Sequence, residues 1–165
     1  MEENAINKEQ AIEKVKEKGK SLEFLPPQFQ DDKEVVMTAL EQDGEALEFA
    51  SDRLKDDKEV IMFAISKAPW TAYYASERLK ADKEVILASV KEYGQTLYYA
   101  SKELRDDEEV VKAAITNKGL IIKYASFRLR DNKEFAEIAV KQNKEAFHFL
   151  SARLKNDEDI KSLLN

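Results

Sequence analysis

Adjacent aspartates are the residues of this sequence whose type and spacing could support metal chemistry. They occur at Asp31-Asp32, Asp56-Asp57 and Asp106-Asp107. Paired carboxylates can bind Mg²⁺ or Ca²⁺, but none of these stretches supplies the alternating oxygens, turn glycine and distal glutamate of a calcium loop. Carboxylates at a helix start instead accept hydrogen bonds from free backbone amides and favour the positive end of the helix dipole. We therefore expect helix caps at these positions and no metal site.

Serine and histidine are the other residue types here that could take part in catalysis. A catalytic nucleophile would be one of a kind, whereas serine recurs at one register position, in the middle of a predicted helix: Ser51, Ser76, Ser101, Ser126 and Ser151. The single His148 has no second histidine and no cysteine to complete a metal site, and its counterparts include Glu48 and Tyr73, which are typical of exposed positions. We therefore expect a protein that is not an enzyme and that uses no cofactor.

The composition indicates an ordered helical protein and makes several kinds of partner unfavourable. The chain has 165 residues, a net charge of −6, and four glycines and three prolines, which is typical of an ordered helical protein. The negative charge makes nucleic acid and anionic lipid poor partners. No apolar run approaches the roughly 20 residues that cross a bilayer, and neither a secretory signal nor cysteine is present. We expect one cytoplasmic, monomeric domain over residues 1–165, with no membrane partner.

The elements that carry these residues repeat along the chain. The tract Asp32-Lys33-Glu34-Val35-Val36 returns in similar form at residues 57, 82 and 107, always 25 residues later. Weaker copies follow the same register. The units therefore begin near residues 7, 32, 57, 82, 107 and 132, and residues 157–165 are predicted to form a closing helix.

Each unit has the apolar spacing of two short helices. In the second unit this spacing predicts helices over residues 33–43 and 45–54, and Asp56 with Glu59 has the pattern of a capping box before the next helix. Helices of this length are marginal alone, so each must pack against its neighbours. The fold class is therefore all-α, with αα-hairpin repeats stacked as an α-solenoid or a compact superhelix.

Two further columns of the repeat have structural interpretations. The position between the paired helices is glycine in most units but Pro69 and Lys144 in two. Proline fixes φ near −65°, so if all units share one geometry we expect the first turn of the second helix here and not a left-handed residue. The alternative is that Pro69 changes the turn of its own unit. A second column holds arginine, broken by Glu103, and is predicted to stack on aromatic rings or to pair with the aspartates.

Function is expected where the units differ. The outward positions of the second helix are polar in the outer units but apolar or aromatic in the central ones, and they predict a ridge that binds a protein or peptide: Trp70, Tyr73, Tyr98, Leu120 and Phe127. Packing of these side chains against neighbouring helices is the alternative. Two other functions stay open: an acidic inhibitor or decoy of a nucleic-acid-binding enzyme, and a repeat protein that binds RNA or a small ligand.

The repeat unit also resembles a known family. The pattern D-K-E-V-[VI]-x(2)-A-[IVL]-x(3)-G-x(2)-L-x-[YF]-A-S-x-x-L-[KR]-x-D, over about residues 32–156, is similar to the repeat of the family called domain of unknown function 4116. The resemblance implies a helical repeat and brings no established activity. Departures from the pattern include Pro69, Ala81 and Glu103.

Overall fold

A computed structural model describes residues 6–165, and within this range it contains helices and no strand. The all-α prediction is therefore confirmed. The α-helices are α1 (Lys8–Glu17), α2 (Pro27–Gln30), α3 (Lys33–Gln42), α4 (Asp52–Lys55), α5 (Lys58–Lys67), α6 (Glu77–Lys80), α7 (Lys83–Val90), α8 (Glu108–Asn117), α9 (Phe127–Arg130), α10 (Lys133–Gln142), α11 (Ala152–Lys155) and α12 (Glu158–Ser162). Between them lie 3₁₀ helices at Gly19–Phe24, Gly44–Phe49, Pro69–Tyr74, Gly94–Tyr98, Leu104–Asp106, Gly119–Tyr124 and Lys144–Phe149.

One repeat consists of an α-helix, a 3₁₀ helix and a short α-helical turn. In the second repeat α3 is followed by the 3₁₀ helix Gly44–Phe49, and Ala50 and Ser51 then adopt an extended backbone before α4. The single helix predicted over residues 45–54 is therefore wrong. Ser51 is not in the middle of a helix but caps α4, because its hydroxyl accepts a hydrogen bond from the Leu54 amide at 3.3 Å.

The described residues form two compact units, one up to Leu79 and one from Lys80 onward. In the first unit α1 packs on α3 and α3 on α5, and the three 3₁₀ helices form a second row. In the second unit α7, α8, α10 and α12 follow one another in the same way. Within each unit, consecutive hairpins therefore lie side by side. The fully buried large side chains belong to the repeated apolar positions: Leu22, Leu40, Leu47, Leu54, Ile61, Leu79, Ile86, Leu97, Ile115, Ile122, Leu129 and Leu154.

The glycine column begins the 3₁₀ helices, as the sequence predicts, and no described residue has a positive φ. Glycine is needed at Gly119 because the next repeat approaches closely. A Cβ added there would lie 2.3 Å from the carbonyl oxygen of Ala139 in α10. The glycine therefore sets the distance between neighbouring repeats and does not provide an unusual turn. The closing helix α12 is shorter than predicted and ends at Ser162.

Candidate functional site

The two aspartates of each adjacent pair have different roles. Asp57 caps α5, since its Oδ1 accepts hydrogen bonds from the amides of Glu59 at 3.0 Å and Val60 at 3.4 Å. Its other carboxylate oxygen lies 2.7 Å from Nζ of Lys33 in the preceding repeat. The expectation that Asp56 is the cap is wrong, because Asp57 has the extended backbone of an N-cap whereas Asp56 ends the preceding turn.

The first aspartate of each pair joins two repeats. The Asp56 carboxylate accepts hydrogen bonds from the Ser76 hydroxyl and from Arg78 Nε at 3.0 Å. We call such a set of aspartate, serine and arginine a junction clamp. This arrangement confirms the predicted pairing of arginine with the aspartates. The clamps are Asp31–Ser51–Arg53, Asp56–Ser76–Arg78, Asp106–Ser126–Arg128 and Asp131–Ser151–Arg153.

Hydrogen bonding in the clamps favours the charged carboxylate. The Ser51 hydroxyl, and then the Arg53 guanidinium, lower the pKa of Asp31 below its ordinary value. Ser76 and Arg78 lower the pKa of Asp56 in the same way. Each serine hydroxyl donates to this carboxylate and accepts from the amide three residues later, as Ser76 does from Leu79 at 3.2 Å. The recurring serines are therefore bound into the joints between repeats.

One joint in the second unit lacks a clamp. At this joint Ala81 occupies the aspartate position and Glu103 the arginine position. The Ser101 amide still donates to the Lys80 carbonyl at 3.0 Å, but the following turn is a 3₁₀ helix, Leu104–Asp106, and not an α-helix. Both the aspartate and the arginine of the clamp are replaced at this joint. Neither residue is therefore present there without the other.

The two predicted contact residues of the first unit are exposed. Trp70 and Tyr73 lie on the 3₁₀ helix Pro69–Tyr74, with 44% and 48% of their surface accessible. The Trp70 indole N–H donates a hydrogen bond to Glu45 Oε1 at 3.0 Å, and Lys20 of the first repeat binds the same carboxylate. These contacts lower the pKa of Glu45, with Lys20 as the larger cause and Trp70 the smaller. The hydrogen bond thus restrains an indole ring that stays partly accessible to solvent.

In the second unit, two of the three predicted residues lie together. Tyr98 is 53% exposed, Leu120 is half-buried, and both line a surface cleft of about 260 Å³. Phe127 is 65% exposed but does not line this cleft, because the extended residues Ala125 and Ser126 separate it from the 3₁₀ helix that carries Leu120.

The predicted contact residues include only two of the nine residues that line the cleft, and they do not include one exposed aromatic ring. Tyr93, Lys118 and Lys123 line the cleft beside Tyr98. Tyr93 and Lys118 immediately precede the glycine column, so their register position could have indicated them. Phe24 is 79% exposed, whereas its counterpart Phe49 is half-buried. The register alone could not have indicated this difference, because Phe24 and Phe49 occupy the same position of the repeat.

Other groups of chemical interest are few in the part of the chain that the structure describes. Residues 6–165 contain no cluster of three or more histidine, cysteine, aspartate or glutamate side chains that could hold a metal ion. His148 is exposed and lies 3.5 Å from Glu145 Oε2. None of the described helices is both long and apolar enough to cross a membrane.

Comparison with known proteins identifies the family. A family model described as "Domain of unknown function (DUF4116)" matches residues 7–55, 32–80, 57–105, 82–130 and 132–161. These matches start at the predicted unit starts 7, 32, 57, 82 and 132, and together they cover most of the chain. No curated protein and no solved structure shows significant similarity to it. The repeat register, the matched segments and the helical hairpins agree, and the chain belongs to the DUF4116 family.

Proposed function

We propose that this protein is a non-enzymatic module that binds a protein or peptide through the outward side chains of its 3₁₀ helices. One observation carries the proposal. The residue after the glycine column changes from Glu45 to Trp70, Gln95, Leu120 and Glu145. The position two residues further along stays apolar in the same units, as Leu47, Ala72, Leu97, Ile122 and Phe147. Variation on a constant scaffold is how repeat proteins present different binding surfaces.

The exposed aromatic residues support a binding role over a purely structural one. Tryptophan and tyrosine are enriched among the residues that dominate binding energy at protein interfaces. Trp70, Tyr73 and Tyr98 each keep between 44% and 53% of their surface accessible. Buried packing does not account for this exposure, and the Trp70–Glu45 hydrogen bond gives the indole a defined orientation before any partner arrives.

Panning a phage-displayed random peptide library on the immobilised protein tests this proposal. Enriched peptides should bind the wild-type chain and lose binding to the variant with Trp70→Ala, Tyr73→Ala and Tyr98→Ala. Phe24→Ala is the matched control, since it removes an even more exposed ring from a different register position. Thermal unfolding followed by circular dichroism should remain cooperative in both variants.

Two results would count against a binding surface. The first is unfolding of the triple variant, which would make these side chains part of the core. The second is a wild-type chain that enriches no peptide above the background of the bare support.

A further inference from the structure

The cleft in the second unit differs in charge from the rest of the molecule. Its lining consists of four tyrosines, two lysines, two aliphatic side chains and one glutamine, with no carboxylate. The whole chain carries 33 acidic and 27 basic residues. A lining with two lysines and no carboxylate is therefore a local exception on a chain whose net charge is −6.

The two lysines of the cleft are half-buried and have no acidic partner. Neither Lys118 nor Lys123 forms an ion pair with any carboxylate in residues 6–165. By contrast, Lys83 and Lys133 in the same unit each contact two carboxylates of the next repeat. Partly dehydrated ammonium groups without a counter-charge attract an anion.

Aromatic rings define the shape of the cleft and hold one of these charges. The Tyr98 ring lies 4.9 Å from the rings of Tyr99 and Tyr124, measured between centroids. Lys123 Nζ lies 4.8 Å from the centroid of the Tyr124 ring and 5.9 Å from that of Phe149. These cation–π contacts keep the ammonium at the cleft instead of extended into solvent.

We infer that this cleft binds an acidic peptide segment in which an apolar side chain is flanked by carboxylates. The apolar side chain would pack against Tyr98, Tyr124 and Leu120, and the flanking carboxylates would meet Lys118 and Lys123. The inference rests on the proposed function and specifies the chemistry of the partner. A volume of about 260 Å³ is below the roughly 300–1,000 Å³ of small-molecule sites, and it suits one side chain better than a whole ligand.

Nucleic acid is the competing polyanion, and the charge distribution disfavours it. Single strands bind in a positive groove that follows the phosphate backbone over several nucleotides, with bases stacked on aromatic rings. Here the positive charge is limited to two lysines of one cleft in a chain of net charge −6. A short acidic segment needs only these two lysines, whereas a strand would extend beyond them over a chain whose net charge is negative.

Fluorescence anisotropy with two labelled peptides tests the inference. One peptide carries a central phenylalanine between glutamates, and the other replaces the glutamates with glutamines. The full chain should bind the glutamate peptide more tightly, and Lys118→Gln with Lys123→Gln should weaken that binding by about 5- to 30-fold. Lys91→Gln with Lys102→Gln changes the net charge equally at exposed lysines outside the cleft, and this variant should bind as the wild type does.

Four outcomes would overturn the inference. Equal affinity for both peptides, or no loss in the Lys118/Lys123 variant, would remove the charge requirement. Absence of binding to either peptide would also overturn the inference. Panning of the peptide library decides independently whether the proposed binding function stands. Tighter binding of a labelled oligouridine than of the glutamate peptide would assign the cleft to nucleic acid. Circular dichroism melts of both lysine variants show whether each remains folded.

Discussion

Replacement of Gly119 by alanine tests how closely neighbouring repeats approach. A new Cβ would lie 2.3 Å from the Ala139 carbonyl oxygen and 2.9 Å from Gln142 Oε1, whereas ordinary contacts begin near 3.4 Å. That carbonyl cannot turn away, since it accepts the Asn143 amide at 2.8 Å at the end of α10. The two repeats must therefore separate by about 1 Å, which also weakens the hydrogen bond of 2.6 Å from the Gly119 amide to Gln142.

The expected effect on stability has a definite sign. Overpacking of this kind costs about 1–3 kcal/mol. At an ordinary negative φ the change from glycine to alanine otherwise stabilises a protein by about 0.4–1 kcal/mol, because it restricts the unfolded chain. Because the approach of 2.3 Å lies far inside ordinary contact, the upper part of the overpacking cost applies, about 2–3 kcal/mol. The balance for Gly119→Ala is then a loss of about 1–2.6 kcal/mol, which in a chain of this size lowers Tm by about 2–10 °C.

Thermal unfolding at neutral pH, followed by circular dichroism at 222 nm, measures this shift. Gly44→Ala is a graded control, because its Cβ would meet the Ala64 carbonyl oxygen only at 3.1 Å and its other neighbours no closer than 2.9 Å. Lys144→Ala is a second control at a register position that already carries a Cβ. A rise in Tm for Gly119→Ala, as expected for a glycine in open space, would refute the close approach.

Three other perturbations have directions that follow from the contacts. Ala81→Asp with Glu103→Arg should build the missing junction clamp beside Ser101 and raise Tm by about 1–4 °C; an unchanged Tm in differential scanning calorimetry would contradict this. Ser51 and Arg53 lower the pKa of Asp31 in the folded chain, so the stability from this pairing is complete above the unfolded value of about 3.9 and is lost as pH falls through the folded value. The Tm deficit of Arg53→Gln should accordingly be full at pH 7 and shrink below about pH 4, and a deficit independent of pH would exclude the pairing as its source. Leu129→Ala should cost about 2–5 kcal/mol in urea unfolding, because Leu129 is fully buried, and a loss below about 1 kcal/mol would mean that the site collapses around the smaller side chain.

The repeat register could be predicted from sequence because the same physical requirement recurs every 25 residues. Buried positions such as Val36 and Leu40 must be apolar in every hairpin, and the aspartate before each α-helix must satisfy free amides. Both requirements recur with the period of the repeat, so they are visible in the sequence. The all-α class and the first helix of each unit follow directly from them.

The break in the second arm could not be recognised from apolar spacing alone. Leu47, Ala50 and Leu54 are buried, as they would be on one continuous α-helix, but a 3₁₀ helix, two extended residues and a new turn bury the same three positions. Pro26 and Pro27 occupy the register of Ser51 and Asp52, and Pro27 is the first residue of α2. Proline favours the first position of a helix, so this pair was a signal for a helix start in every repeat.

The candidate site was predictable in part, for a related reason. Exposure of Trp70, Tyr73 and Tyr98 follows from their register. The charge of the cleft does not follow from the register, because it depends on whether Lys118 and Lys123 form ion pairs. Lysines of this protein pair with carboxylates of the neighbouring repeat, for example 22, 24 or 26 residues further along the chain. Which lysine lacks a carboxylate becomes visible only when neighbouring hairpins are placed side by side.

Each junction clamp joins residues 20 and 22 positions apart and reaches only the adjoining hairpin. Excision of residues 107–131 would accordingly leave Asp106 facing Ser151 and Arg153 in unchanged register, and circular dichroism of the shortened chain can verify that it folds. The number of repeats in such a protein can therefore change. In-frame duplication or loss of one 25-residue repeat in the gene requires no compensating substitution in the other repeats.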